Sequence, residues 1–142
     1  MGNKITTQKC NFEDIQKNLD NFKTNNALLI NTLKQKEQDC LIPYTIEILN
    51  EEKIINNYLS KNINIDIFIY GKNTNEEAIY EKYNQLRGLG FINVFIYTGG
   101  LFEWLCLQDI YGDDIFPTTK KELDLLKYKP ISYMKNKLLL NS

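Results

Sequence analysis

The sequence predicts an α/β protein, a single three-layer domain in which a mostly parallel central sheet is flanked by helices. Short apolar, β-branched runs such as residues 65–70 alternate along the chain with longer stretches whose apolar residues follow helical spacing. Near-continuous apolar runs are typical of parallel strands that are covered on both faces. Their alternation with helices indicates crossovers between parallel strands. The length of 142 residues suits one domain with its own core.

A capped helix and two apolar runs define the first predicted elements. Asn11 precedes a stretch with acidic residues in its first turn and apolar residues at helical spacing, which predicts a helix over 12–22 with Asn11 as its N-cap. We expect a strand over 27–30 and a second strand over 44–49. Asn50 is expected to cap the helix that follows.

The next helix is predicted from a capping box. Thr74 and Glu77 have the spacing of that motif, so Thr74 is expected to start a helix running to about residue 87, directly after the strand at 65–70.

Glycines and a second capping box mark the last predicted elements. A strand over 93–97 is followed by Gly99 and Gly100, which are expected to turn the chain into another helix. Thr119 and Glu122 again have capping-box spacing and predict a helix that ends at a proline.

We expect three segments along the chain. Residues 1–10 form a flexible N-terminal segment, and residues 11–128 form the domain, with its core over 27–112. Residues 129–142 form a basic and apolar C-terminal tail.

Absent residue types exclude several functions. The chain has no histidine, which excludes Ser-His-Asp and Cys-His catalysis and imidazole metal ligands. Cys10, Cys40 and Cys106 form no Cys-x-x-Cys pair and no disulfide framework, so we expect a reducing, cytoplasmic setting. The net charge of −1 argues against a nucleic-acid partner. No apolar run reaches the roughly 18–20 residues that span a bilayer.

Two further groups are interpreted as structural. Asp109, Asp113 and Asp114 match no calcium-loop spacing and indicate a solvated turn, so we expect no metal and no cofactor. The aromatic residues of the strands and the following helix are expected to be core and not a platform for stacked bases. These are Phe68, Tyr70, Phe91, Phe95, Tyr97 and Trp104.

Several short motifs occur in a fixed order between residues 27 and 112. They are Ile30-Asn31, Ile42-Pro43, Leu89-Gly90-Phe91, Asn93-Val94, Gly99-Gly100 and Trp104. In order and spacing, this set resembles the rhodanese (sulfurtransferase-like) domain family. The resemblance implies a nucleophilic cysteine directly after the strand at 65–70, at the start of a loop of inward-pointing amides. Such amides stabilise a thiolate and the persulfide formed on it.

Glycine stands at the position where the resemblance implies the cysteine. The loop reads Gly71, Lys72, Asn73, Thr74, Asn75, Glu76 and Glu77. The two carboxylates are expected to repel an anionic sulfur donor. Asn31 and Leu33 also stand where the family usually has an aspartate and often an arginine. The resemblance therefore implies the scaffold without conventional sulfur transfer, and no residue is predicted to be catalytic.

The leading hypothesis is a binding or regulatory module. Its partner is expected to be a protein or a small anion at residues 71–77. The candidate ligand-binding residues are Asn31, Gly71, Lys72, Asn73, Thr74, Gly99 and Gly100.

Two alternatives stay open. One is a sulfurtransferase or another small-anion enzyme that uses an atypical group, for which Cys40 is the better-placed thiol because Cys106 is expected to be buried. The other is a myristoylated peripheral membrane adaptor. The first six residues fit the N-myristoylation pattern at Gly2, and Cys10 could carry a second lipid. One myristoyl chain binds only marginally, so the basic tail is expected to help through anionic lipids.

Overall fold

The protein is built on a four-stranded, fully parallel sheet. The computed structural model describes residues 6–135. Across the sheet, the strands lie in the order β1 (Lys9–Cys10), β4 (Val94–Tyr97), β3 (Asp66–Tyr70) and β2 (Ala27–Asn31). The predicted α/β class with a parallel central sheet is confirmed.

Within residues 6–135, four helices cover the two faces of the sheet. They are α1 (Phe12–Lys23), α2 (Ile48–Lys61), α3 (Glu77–Leu89) and α4 (Gly100–Tyr111). Two short 3₁₀ helices, Gln35–Glu37 and Leu125–Tyr128, lie in the connections. No helix in residues 6–135 is long and apolar enough to cross a membrane.

Alternate strand residues point into two separate hydrophobic layers. On one face, Leu29 and Phe68 pack with α1 and α4, including the fully buried Trp104. On the other face, Ile30 and Ile69 pack with α2 and α3. This arrangement explains why the strands read as continuous apolar runs. The predicted aromatic core is confirmed, except that Phe95 is only half-buried.

The N-terminal part of the chain is ordered further than expected. Asn11 caps α1 as predicted, because its Oδ1 accepts hydrogen bonds from the amides of Glu13 (2.9 Å) and Asp14 (3.3 Å). Lys9–Cys10, however, form β1 and pair with β4, so the expectation of a flexible segment through residue 10 is wrong for these two residues.

The strand predicted over 44–49 is absent, and α2 begins at Ile48. Tyr44 has a φ of +68°, which turns the chain out of an extended path just after Pro43. A single hydrogen bond, from the Ile46 amide to the Leu29 carbonyl (2.8 Å), joins this segment to the edge of β2. Asn50 therefore lies inside α2 and does not cap it.

Both predicted capping boxes are wrong for the same physical reason: each threonine hydroxyl is engaged by a distant part of the chain. Thr74 Oγ1 donates to the Thr98 carbonyl (2.6 Å), and α3 begins at Glu77. Thr119 Oγ1 donates to the Asp39 carbonyl (3.2 Å) and accepts from the Leu41 amide (3.0 Å). Residues 119–124 consequently form no helix.

Candidate functional site

The loop that follows β3, residues 71–76, lies at the carboxyl edge of the sheet and folds against the start of α4. The amide of Leu101 donates to the Gly71 carbonyl (2.9 Å), and the amide of Phe102 donates to the Lys72 carbonyl (2.8 Å). The first amides of a helix have no partner inside the helix and often bind anions. In this protein, two of them are already bonded to the loop.

A carboxylate of the loop itself accepts from a loop amide. Glu76 Oε1 accepts a hydrogen bond of 2.7 Å from the amide of Lys72. Asn73 Oδ1 accepts another, of 2.9 Å, from the amide of Asn75. The Thr74 hydroxyl ties the loop to the turn after β4. The loop is therefore stabilised by its own side chains.

The first position of the loop is packed so tightly that a side chain there would force its neighbours to shift. A Cβ placed on Gly71 would lie 2.8 Å from Thr32 Oγ1 and 2.8 Å from Ile79 Cδ1. Behind the loop, Gly100 has a φ of +66°, and a Cβ there would lie 2.9 Å from the Asn73 nitrogen and 2.9 Å from the Gly71 oxygen. Both glycines allow two backbone segments and a core side chain to pack closely.

A cleft of about 730 Å³ opens beside the loop. Among its lining residues are four lysines and two glutamates: Lys34, Lys72, Lys127, Lys129, Glu37 and Glu76. Lys72 Nζ lies 2.5 Å from Glu37 Oε2. Burial raises the pKa of the Glu37 carboxyl, but hydrogen bonds from Lys72 and the Lys34 amide outweigh it and hold the pKa below its usual value.

The C-terminal part of the described chain, residues 125–135, is called the strap. It borders the same cleft, which is therefore called the strap cleft. Its anchor is Tyr128, which is only 1% exposed. Asn73 Nδ2 donates to the Tyr128 carbonyl at 3.0 Å, which joins the strap to the loop. Leu126, Ile131 and Tyr133 line the cleft.

The structure brings together only some of the predicted ligand-binding residues. Lys72 and Asn73 line the strap cleft, and so do Asn75 and Glu76 of the same loop. Gly71 and Thr74 belong to this loop without lining the cleft, and Gly99 and Gly100 lie at the start of α4 beside it. Glu77 is exposed at the start of α3, and Asn31 lies elsewhere.

Asn31 lines a different cleft, of about 740 Å³, between α2 and α3. Its Oδ1 accepts from the Leu33 amide (3.0 Å) and from Gln38 Nε2 (2.7 Å), so its side chain holds the turn after β2. Asn31 and Leu33 stand where the family usually has an aspartate and often an arginine. Here both belong to this turn, and Leu33 is also buried.

None of the three thiols lines the strap cleft. Burial and the nearby Asp14 raise the pKa of Cys10 to about 12. Cys40 is buried, its Sγ donates to the Lys120 carbonyl (3.2 Å), and burial raises its pKa. Cys106 was expected to be buried but is only half-buried. Desolvation is the main cause that raises its pKa, and the nearby Asp109 raises it further. Thiolate, which is the nucleophilic form, is scarce at all three near neutral pH.

Solved structures with the same arrangement of strands and helices identify the fold. The Alr3790 protein of Anabaena sp. is 22% identical, with 94% of each chain covered and a TM-score of 0.55. A solution structure of the rhodanese-like domain of Alr3790 is 20% identical over 89% of this chain and 87% of that one, with a TM-score of 0.54. The chain has a rhodanese-like fold.

A third structure extends this rhodanese-like likeness. The As-Sb reductase of Leishmania major is 17% identical over 96% of this chain and all of that one (100%), with a TM-score of 0.56. No protein-family model and no curated protein sequence matches the chain. At these identities the likeness concerns the rhodanese-like fold and not an activity.

Sequence reasoning found the loop but missed the other walls of the strap cleft. Thr32, Lys34 and Glu37 follow β2, and their position at a carboxyl strand end was the available signal. The strap was predicted only as part of a basic, apolar tail, of which residues 136–142 lie outside the described residues. Gly2, the predicted lipidation site, also lies outside them.

Proposed function

We propose that this protein is a rhodanese-like domain without sulfurtransferase activity that acts as a binding module through the strap cleft. The observation that carries the proposal is the closed first position of the loop. Gly71 supplies no nucleophile, and Thr32 and Ile79 occupy the space that a side chain there would need.

The reaction implied by the family resemblance has clear chemical needs. A thiolate attacks the outer sulfur of a donor such as thiosulfate, the donor's S–S bond breaks, sulfite leaves with the electron pair, and a persulfide forms on the cysteine. Free amides of the loop then stabilise the negative charge. In this chain, the Lys72 amide is bonded to Glu76, and the Leu101 and Phe102 amides are bonded to loop carbonyls. The loop therefore supplies no nucleophile for the attack, and these three amides are not free to stabilise the product.

The cysteines offer no substitute for the missing thiol. Cys40 was the better-placed alternative, but it is buried. Its Sγ donates a hydrogen bond to the carbonyl of Lys120, the residue after Thr119. Its raised pKa keeps it protonated near neutral pH. These features support a domain without sulfurtransferase activity over an enzyme that uses an atypical group.

The cleft chemistry favours an anionic ligand with an apolar part. The lysines of the cleft outnumber its carboxylates by four to two, and both carboxylates are already engaged by Lys72. Leu126, Ile131 and Tyr133 add an apolar wall. Such a mixture of excess positive charge and apolar surface is typical of sites that bind amphipathic anions or acidic protein segments.

Two measurements test the proposal. In a thiosulfate:cyanide sulfurtransferase assay, we expect the purified protein to show no turnover above the uncatalysed rate, and mass spectrometry should find no persulfide. In an NMR titration with inorganic phosphate and thiosulfate, the side-chain Nζ signals of Lys34, Lys127 and Lys129 should shift. The Lys72 amide should not respond, because Glu76 occupies it.

A matched pair of variants sharpens the test. Glu76→Ala frees the Lys72 amide, which should then respond to phosphate, whereas Glu77→Ala removes the same charge from an exposed neighbour and should leave that amide silent. Turnover, or a persulfide on Cys40, would overturn the proposed inactivity. Titrations that leave the Nζ signals of the three lysines unchanged would remove the cleft as a binding surface.

A further inference from the structure

The strap has a charge that differs from the rest of the molecule. Residues 125–135 contain three lysines, Lys127, Lys129 and Lys135, and no aspartate or glutamate, so the segment carries +3. The whole chain carries −1. Lys34 and Lys72 border the cleft beside the strap and extend the basic surface.

The strap also exposes apolar side chains that the core leaves unburied. Leu126 is 64% exposed, Ile131 74%, Tyr133 75% and Met134 63%. Tyr128 alone is fully inserted into the core, with Leu125 partly buried beside it. The segment is thus fixed to the domain at one end. Lys127 Nζ lies 3.6 Å from Glu122 Oε2, whereas Lys129 and Lys135 are exposed together with these apolar side chains.

We infer that the strap docks this protein onto an anionic membrane surface; this rests on the proposed function and names the partner of the strap cleft. Lysines bind anionic headgroups while their methylene stems lie along apolar surface. Isoleucine, leucine and methionine side chains bury their area below the headgroups, and tyrosine is enriched at that depth. The strap interleaves these two kinds of side chain over eleven residues, which is the composition that an interface between lipid and water requires.

The four lysines of the cleft outnumber its two carboxylates, of which one, Glu76, is not neutralised by an ion pair. Glu37 is paired with the ammonium of Lys72, and Glu76 accepts from the amide of the same residue. Lys34 and Lys129 are in no ion pair within residues 6–135 and are available to a headgroup. An acidic protein segment would use the lysines as well, but it would leave the exposed Ile131 and Met134 without a necessary role.

Vesicle sedimentation tests the inference on the full chain. The protein is produced in a bacterial host without N-myristoylation, so Gly2 makes no contribution. We expect binding to vesicles of phosphatidylcholine mixed with phosphatidylserine, weaker binding as salt is raised, and little binding to pure phosphatidylcholine.

Two pairs of variants separate the charged and apolar contributions. Lys129→Glu with Lys135→Glu should weaken binding by on the order of thirtyfold. Ile131→Ser with Met134→Ser should weaken it by about tenfold. The matched controls are Lys17→Glu with Lys53→Glu and Leu49→Ser with Ile110→Ser, which change equally exposed residues of the helices and should leave binding within about twofold. Near-UV circular dichroism checks that each variant stays folded.

The outcomes distinguish the partner. Failure to bind phosphatidylserine vesicles overturns the inference, as does equal loss of binding in the strap variants and their controls. Binding to polyglutamate but not to vesicles identifies a protein partner and also overturns it. Amide shifts in the cleft with soluble glycerophosphoserine, without vesicle binding, would retain the proposed cleft function and reject the membrane.

Discussion

The loop after β3 and the strap border the same cleft, but different contacts hold them. The loop is fixed by hydrogen bonds to α4, to the turn after β4 and within itself. The strap is fixed mainly by the buried Tyr128 ring and its hydrogen bond from Asn73, with Leu125 partly buried and Lys127 paired with Glu122. Most of its other side chains are exposed. The loop is therefore a closed structural element, whereas the strap offers the accessible surface.

The difference places the accessible surface beside the loop and not at its first position. In a rhodanese-like fold the loop after β3 is where the resemblance implies chemistry, and here the amides of Lys72 and Asn75 are bonded to side chains of the loop and the first position is tightly packed. A segment more than 50 residues further along the chain supplies the charge and apolar area that a partner could contact, since Asn73 and Tyr128 are 55 residues apart. On a shared scaffold, function thus depends on the side chains that are free to contact a partner.

The largest expected effect comes from removing the anchor of the strap. Tyr128→Ala deletes a ring that is 1% exposed and should lower the free energy of unfolding by about 3–5 kcal/mol. Chemical denaturation measures this loss, and limited proteolysis should cut the strap faster than in the unchanged protein.

Tyr133→Ala is the matched control, because this tyrosine is in the same segment but is 75% exposed. We expect it to change the free energy of unfolding by no more than about 0.5 kcal/mol. Equal losses in the two variants would show that the strap is not held by Tyr128.

Local patterns predicted the central elements of this fold well. The runs that form β2, β3 and β4 are apolar on both faces, and each face packs against one of the two hydrophobic layers. The Asn11 cap depends only on residues within three positions of it. Such signals are contained in a short stretch of sequence. They needed no knowledge of the remaining chain.

The failures arose where a side chain is used by a distant segment. Thr74 and Thr119 have capping-box spacing, but their hydroxyls bond to the carbonyls of Thr98 and Asp39. Tyr44 adopts a backbone conformation that its residue type rarely takes, so the strand predicted around it could not form. The strap side of the cleft was missed because the spacing of residues in the sequence does not show that residues 125–135 return across the loop.

The second prediction tests whether the loop is closed by packing and not only by the lack of a thiol. Gly71→Ala should lower the free energy of unfolding by about 1–3 kcal/mol, because its new methyl group meets Thr32 and Ile79. Gly71→Cys should be at least as destabilising and should not gain sulfurtransferase turnover, since Glu76 still occupies the Lys72 amide.

Gly88→Ala is the control of opposite sign. Gly88 lies within α3, and apart from the backbone of its own helix no described atom lies within 4 Å of a Cβ placed there. Alanine should stabilise the protein by about 0.5–1 kcal/mol at such a position. A stable, active Gly71→Cys protein would contradict the closed loop.

The smallest predicted effect concerns the ion pair between the loop and the turn after β2. The pKa of Glu37 is lower in the folded protein than in the unfolded chain, so its contribution to stability is complete above the usual carboxyl pKa and is lost as the pH falls through the folded value. Glu37→Gln should therefore cost up to about 1 kcal/mol at neutral pH, and its unfolding free energy should converge with that of the unchanged protein in acid. Glu52→Gln, an exposed carboxylate in no ion pair of residues 6–135, should show little difference at either pH. A Glu37→Gln difference that stays constant with pH would mean that packing, and not the charge on the carboxylate, joins Lys72 of the loop to this turn.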